Sequence, residues 1–98
     1  MNNLQTKHNV IADWIFSHER ELIRAAEFIF EHPELAYEEV LSSKYLADYL
    51  RNKGFSVSAK TAGIDTAFTA EWGEGKPVIG FLAEYDALAG VGHACGHN

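Results

Sequence analysis

The chain has little sulfur and little proline: one cysteine, Cys95, and two prolines, Pro33 and Pro77, among 98 residues. A single cysteine excludes an internal disulfide, and with it the stapled framework of a small secreted domain. Basic residues are also scarce, 8 against 14 acidic ones, for a formal net charge of −6. With no basic run to neutralise phosphates, nucleic acid and anionic membrane surfaces have little electrostatic support as partners. Long apolar runs are missing too. The longest, residues 77–83, is far below the ~20 residues of a membrane-spanning helix. The stretch up to Arg20 contains Asp13, His18 and Glu19 where a signal peptide would be apolar. A cytoplasmic location in a reducing compartment is the expectation. What is present, 47% hydrophobic and 22% charged residues, suits a single small globular domain and not a disordered chain.

Two helices followed by three strands are expected. Residues 4–31 read as one helix, with Ile11, Trp14, Ile15, His18, Leu22, Ile23, Ala26, Ile29 and Phe30 recurring near the helical period. Pro33 ends it by pushing His32 toward extended geometry. A second helix runs from residue 37 or 38 to 52, acidic at its start (Glu38, Glu39), basic at its end (Arg51, Lys53) and capped by Gly54. The period then changes to two. Phe55, Val57 and Ala59 mark one strand, Gly63-Ile64-Asp65 turns the chain, and Thr66, Phe68, Ala70 and Trp72 form one side of the next. Residues 73–76 would close a hairpin into 77–83, an interior strand apolar on both faces. This is the beginning of an α/β domain with an incomplete sheet.

The densest chemistry is His93-Ala94-Cys95-Gly96-His97-Asn98. Thiolate and imidazole at alternate positions suit Zn²⁺, Co²⁺ or Ni²⁺, and nearby carboxylates admit Mn²⁺. On an extended segment His93, Cys95 and His97 would face one side. Glu84 and Asp86, also two apart, would point their carboxylates the same way. They follow the expected interior strand, where open α/β sheets gather ligands. Other readings of these residues are a Cys95–His97 thiolate–imidazolium pair, a buried cysteine flanked by surface histidines, and solvated loop acids. His18 reads as a half-buried or satisfied histidine inside a helix, and His32, before Pro33, as a helix-end or turn residue.

Residues 81–98, from Phe81 through Glu84-Tyr85-Asp86-Ala87-Leu88 to His93-Ala94-Cys95-Gly96-His97-Asn98, resemble the active-site stretch of the M20 metallopeptidase family. The likeness is to the branch that includes aminobenzoyl-glutamate hydrolase and the dipeptidase-like proteins. His32-Pro33-Glu34-Leu35-Ala36-Tyr37-Glu38-Glu39 is similar to that family's signature after its first helix. Ala89 stands where a proline is usual, and Asn98 where an aspartate is common.

The resemblance implies the N-terminal part, residues 1–98, of a zinc-peptidase-like α/β/α catalytic domain. The parent would be a homodimeric hydrolase of amide bonds in N-acyl or aminoacyl amino acids or dipeptides. It implies two divalent metal ions, with Cys95 and His97 as ligands and Asp86 in support behind them. Glu84, His93 and Asn98 become second-layer or substrate contacts. The general base, the remaining ligands and a lid and dimerisation domain would lie downstream, so this stretch by itself is expected to be inactive. The alternatives are a stand-alone metal-binding or interaction module without catalysis, using His93, Cys95 and His97, and a structural piece that pairs with another chain.

Overall fold

Between residues 4 and 31 the chain forms two helices, not one. In the computed structural model, which describes residues 3–98, α1 spans Asn3–Ser17 and α2 spans Glu19–Glu31. The break falls at His18 (φ −109°, ψ 12°). Its ring Nδ1 lies 2.7 Å from the Trp14 carbonyl and stacks on the Trp14 indole, and the Ser17 hydroxyl donates to the same carbonyl at 2.9 Å. Side chains that crowd the carbonyl one turn back compete with the backbone ladder and bend a helix. The end of α2 repeats the device: His32 Nδ1 meets the Phe28 carbonyl at 2.7 Å, and its ring stacks on Phe28.

Pro33 then turns the chain into α3, Val40–Asn52. Helices α2 and α3 pack through Ala25, Ile29 and the fully buried Ser42, with Phe28 stacked on Tyr45 at 4.5 Å. Glu21 on α2 accepts from the Tyr49 hydroxyl at 3.1 Å and pairs with Lys53 at 3.0 Å. Gly54 leaves α3 with φ +97°, and the Phe55 amide returns to the Leu50 carbonyl at 3.0 Å. That is the left-handed cap expected there.

Strands β1 (Ser56–Ala59) and β2 (Phe68–Glu71) form an antiparallel pair, with Ser56 opposite Glu71 and Ala59 opposite Phe68. The turn expected at 73–76 does not lead into a further strand. Residues 77–83 are not a strand: among the described residues the sheet has two strands, paired only with each other. Val78, Phe81 and Leu82 are instead 86%, 92% and 97% exposed. A segment apolar on both faces becomes an interior strand only with hydrogen-bonding neighbours at its edges and layers over its faces. Neither is offered by the described residues. The architecture is therefore three helices followed by an open two-stranded sheet. This replaces the expected two helices and three strands of an α/β/α layer.

The molecule measures 50 × 27 × 21 Å. Among the described residues no helix is long and apolar enough to cross a membrane. The apolar core is small, made of Ala25, Ile29, Tyr85 and Ala87. Its last two members flank Asp86, and they bring the core to the site.

Candidate metal centre

Residues 84–98 reach their places through two anchors and a tight loop. The Tyr85 hydroxyl, buried, donates to the Thr66 carbonyl at 2.6 Å, and the Tyr85 ring stacks near Phe68 of β2. The Ala87 amide donates to the Glu34 carbonyl at 2.7 Å. Beyond them Leu88 and Gly92 exchange backbone hydrogen bonds at 2.9 and 3.1 Å, closing a loop whose Gly90 and Gly92 have φ of 76° and 65°. That conformation suits residues without a Cβ. A further turn, from the Gly96 amide to the His93 carbonyl at 3.2 Å, brings His97 back over the acids.

The result centres on one imidazole. His97 Nδ1 lies 2.8 Å from Asp86 Oδ1, and His97 Nε2 lies 3.2 Å from Glu84 Oε2. Both carboxylates reach the same ring, as their spacing of two suggests. The hydrogen bond from His97 holds the Asp86 carboxyl below its ordinary range, overcoming the opposing effect of desolvation. The same bond raises the His97 imidazole above its ordinary value, with a smaller contribution from the Glu84 charge. A carboxylate stands at each ring nitrogen, and both contacts become hydrogen bonds only when both nitrogens carry a proton.

The other terminal residues separate. Among the described residues His93, Cys95 and His97 are not grouped to hold one ion, and a turn from the Gly96 amide to the His93 carbonyl replaces the extended alternation. Cys95 is exposed and free. His93 is buried at 6% exposure, and neither ring nitrogen has a hydrogen-bond partner. Asn98 Nδ2 donates to the Ala26 carbonyl on α2 at 3.2 Å. An open hollow of about 280 Å³ borders the site, with Tyr37, Glu39, Thr66, Glu84 and Asp86 in its wall.

Glu34 belongs to the site's support although its motif assigns it no role. Its carboxylate accepts from the Leu41 and Ser42 amides at 2.9 and 2.8 Å, at the start of α3. Burial pushes this carboxyl up, but the backbone amides outweigh it and hold the group below its ordinary value. The sequence does carry a usable signal: an acid directly after Pro33, at a helix-to-helix turn, within reach of the next helix's free amides.

The donor set fits a metal in part. Cys95 carries a sulfur of a type that suits a soft metal, and the Asp86 contact at His97 Nδ1 is of the kind by which outer carboxylates orient metal-bound histidines. Glu84 stands at Nε2. Among the described residues no three His, Cys, Asp or Glu side chains are grouped to hold an ion.

No model of a known protein family matches the chain. Individual relatives do match. The chain is 38% identical over 112 aligned positions to a subunit of the p-aminobenzoyl-glutamate hydrolase of Escherichia coli, covering 97% of this chain and 23% of that protein. It is 40% identical over 83 positions to the human Xaa-Arg dipeptidase, covering 71% of this chain and 19% of the relative. Thermostable carboxypeptidase 2 of Saccharolobus solfataricus is 34% identical over 104 positions, covering 90% and 24%. The chain thus spans about a quarter or less of the length of these relatives. It belongs to the M20 family of metallopeptidases and amidohydrolases, as its two motifs indicate.

Proposed function

We propose that this chain is the N-terminal portion of the catalytic domain of a metal-dependent amide hydrolase. Its substrates would be N-acyl or aminoacyl amino acids or dipeptides. The observation that carries the reading is the Asp86–His97–Glu84 arrangement, with Cys95 two residues before His97 in sequence, in a chain related over nearly its whole length to a hydrolase named for p-aminobenzoyl-glutamate. A peptidase and a dipeptidase among the relatives support the same bond class. The hollow of about 280 Å³ beside Glu84 and Asp86 suits a small ligand.

In this reading Cys95 and His97 hold one side of a site for two divalent ions, Zn²⁺, Mn²⁺, Co²⁺ or Ni²⁺. Such ions polarise a carbonyl and acidify water when bound. Asp86 keeps the proton on His97 Nδ1, so that Nε2 is the donor atom once Glu84 moves off it. Cys95 must lose its proton to bind, and its exposure gives a metal access to the sulfur. Asp86 stays on the histidine, and neither it nor Glu84 serves as general base. That group and the remaining ligands belong to other parts of the protein. His93 and Asn98 act in loop structure or substrate contact. A homodimeric, cytoplasmic protein is part of the same proposal.

The test uses the full-length protein. Metal content and hydrolysis of N-acyl amino acids and dipeptides are measured for wild type, Cys95→Ala and His97→Ala. Each variant is expected to lose bound metal and to lose more activity than the ~10–100-fold typical of outer-layer changes at metal sites. Full metal content and turnover in Cys95→Ala would remove this site from the mechanism.

A further inference from the structure

Asp86 sits between two buried neighbours, and the ties on both lead back to residues 34–39. On one side the Ala87 amide donates to the Glu34 carbonyl at 2.7 Å, while the Glu34 carboxylate is fixed by the Leu41 and Ser42 amides. On the other side the Tyr85 hydroxyl donates to the Thr66 carbonyl at 2.6 Å, and the Thr66 hydroxyl donates to Glu39 Oε1 at 3.0 Å. Tyr85, Ala87 and Thr66 are buried at 9%, 4% and 7% exposure.

The division of labour between the two glutamates is informative. Glu39 occupies the N-cap position of α3, yet its side chain makes no capping bond there. The capping comes from Glu34, further back in the chain, and the Glu39 carboxylate turns to Thr66 instead. A carboxylate serving only as a helix cap has no need of a carbonyl bound to the site segment. Here one residue does both, and the residue it relieves holds the opposite flank.

We propose that Glu34 and Glu39 are positioning residues of the metal centre, holding Asp86 from both sides in register with His97 Nδ1. The proposal rests on the reading of Asp86 and His97 as part of that centre. Neither glutamate is read as a metal ligand, although Glu39 also lines the hollow. Each acts through a backbone or hydroxyl link: Glu34 through Ala87, Glu39 through Thr66 and Tyr85. Without either tie Asp86 gains freedom along the segment, and a bond made at 2.8 Å is lost by a small drift.

The experiment titrates the metal-free full-length protein with Co²⁺ and reads cobalt–thiolate absorption. The variants are Glu34→Gln, Glu39→Ala, Tyr85→Phe and Asp86→Asn, with the exposed Glu38→Gln as control. In Glu34→Gln a side-chain N–H₂ faces a backbone N–H, so one of the two capping bonds fails. Affinity is expected to fall by about tenfold or more in each of the first three variants, with helical circular dichroism retained and the control unchanged. In the Asp86→Asn background the same changes are expected to add little, because they act through Asp86. Tyr85→Phe carries the test if a glutamate variant does not fold. Unchanged affinity in the folded variants, or losses fully additive with Asp86→Asn, would overturn the proposal. A wild-type protein without cobalt–thiolate absorption would defeat the metal reading instead. The positioning claim is then decided by ¹⁵N-histidine NMR of the metal-free protein. The His97 Nδ1–H signal in Glu34→Gln should move toward that of Asp86→Asn, and an unmoved signal would reject the claim.

Discussion

Glu34 shows how one side chain joins local and tertiary structure. Its carboxylate meets the positive end of α3, where the amides of Leu41 and Ser42 have no carbonyl one turn back to bind. Burial opposes the charge, the amide bonds outweigh it, and the pKa is lowered. A carboxyl lowered in the folded state contributes stability above its unfolded value of about 4.3. That contribution is lost as pH falls through the folded value. At neutral pH, Glu34→Gln should cost about 1 kcal/mol, the scale of a lost helix cap. Thermal unfolding of the two proteins should converge as the buffer is taken below that window. A gap that stays constant with pH would show that the charge of Glu34 is immaterial. At this scale the identities of the site residues are legible in the sequence, because Glu84, Asp86, Cys95 and His97 lie in short local patterns. Their pairing is not. Asp86 and His97 meet only because the Leu88–Gly92 bridge and the turn at Gly96 double the chain back.

Helices and strands are legible where their causes are local. Helix α3 lies within its expected limits, from Val40 to Asn52, and Gly54 takes the left-handed conformation expected after it. A Cβ at Gly54 would stand 2.8 Å from Trp72 Cζ3, in a backbone conformation that already disfavours side chains. Gly54→Ala is therefore expected to destabilise the chain by about 1–2 kcal/mol, read as a lower denaturation midpoint. It should also disturb the Phe55–Trp72 contact, visible in tryptophan fluorescence. An unchanged midpoint would mean that Trp72, 70% exposed, moves aside freely. The division between α1 and α2 is not legible. Apolar residues continue at helical spacing through His18, and period alone carries no sign that an imidazole will take the Trp14 carbonyl.

For the whole molecule, the decisive quantity is the apolar surface left uncovered. Helix α1 has no buried residue, and Val78, Ile79, Phe81 and Leu82 stand out in solvent. Exposed apolar surface of this extent drives association. Residues 1–98 expressed alone are expected to bind a hydrophobic dye such as ANS and to sediment as concentration-dependent oligomers. Phe81→Ser combined with Leu82→Ser should reduce both effects. A dye-silent monomer at all concentrations would contradict this. By itself the sequence determined the family and the position of α3. Each of these is written in short motifs or a local period. Tertiary structure decided the split of the first helix, the pairing of β1 with β2 and the failure of 77–83 to become a strand. It also decided that His97, and not His93, meets the two acids. These outcomes depend on which hydrogen-bonding partners the folded chain brings within reach, and periodicity along a single segment carries no record of them.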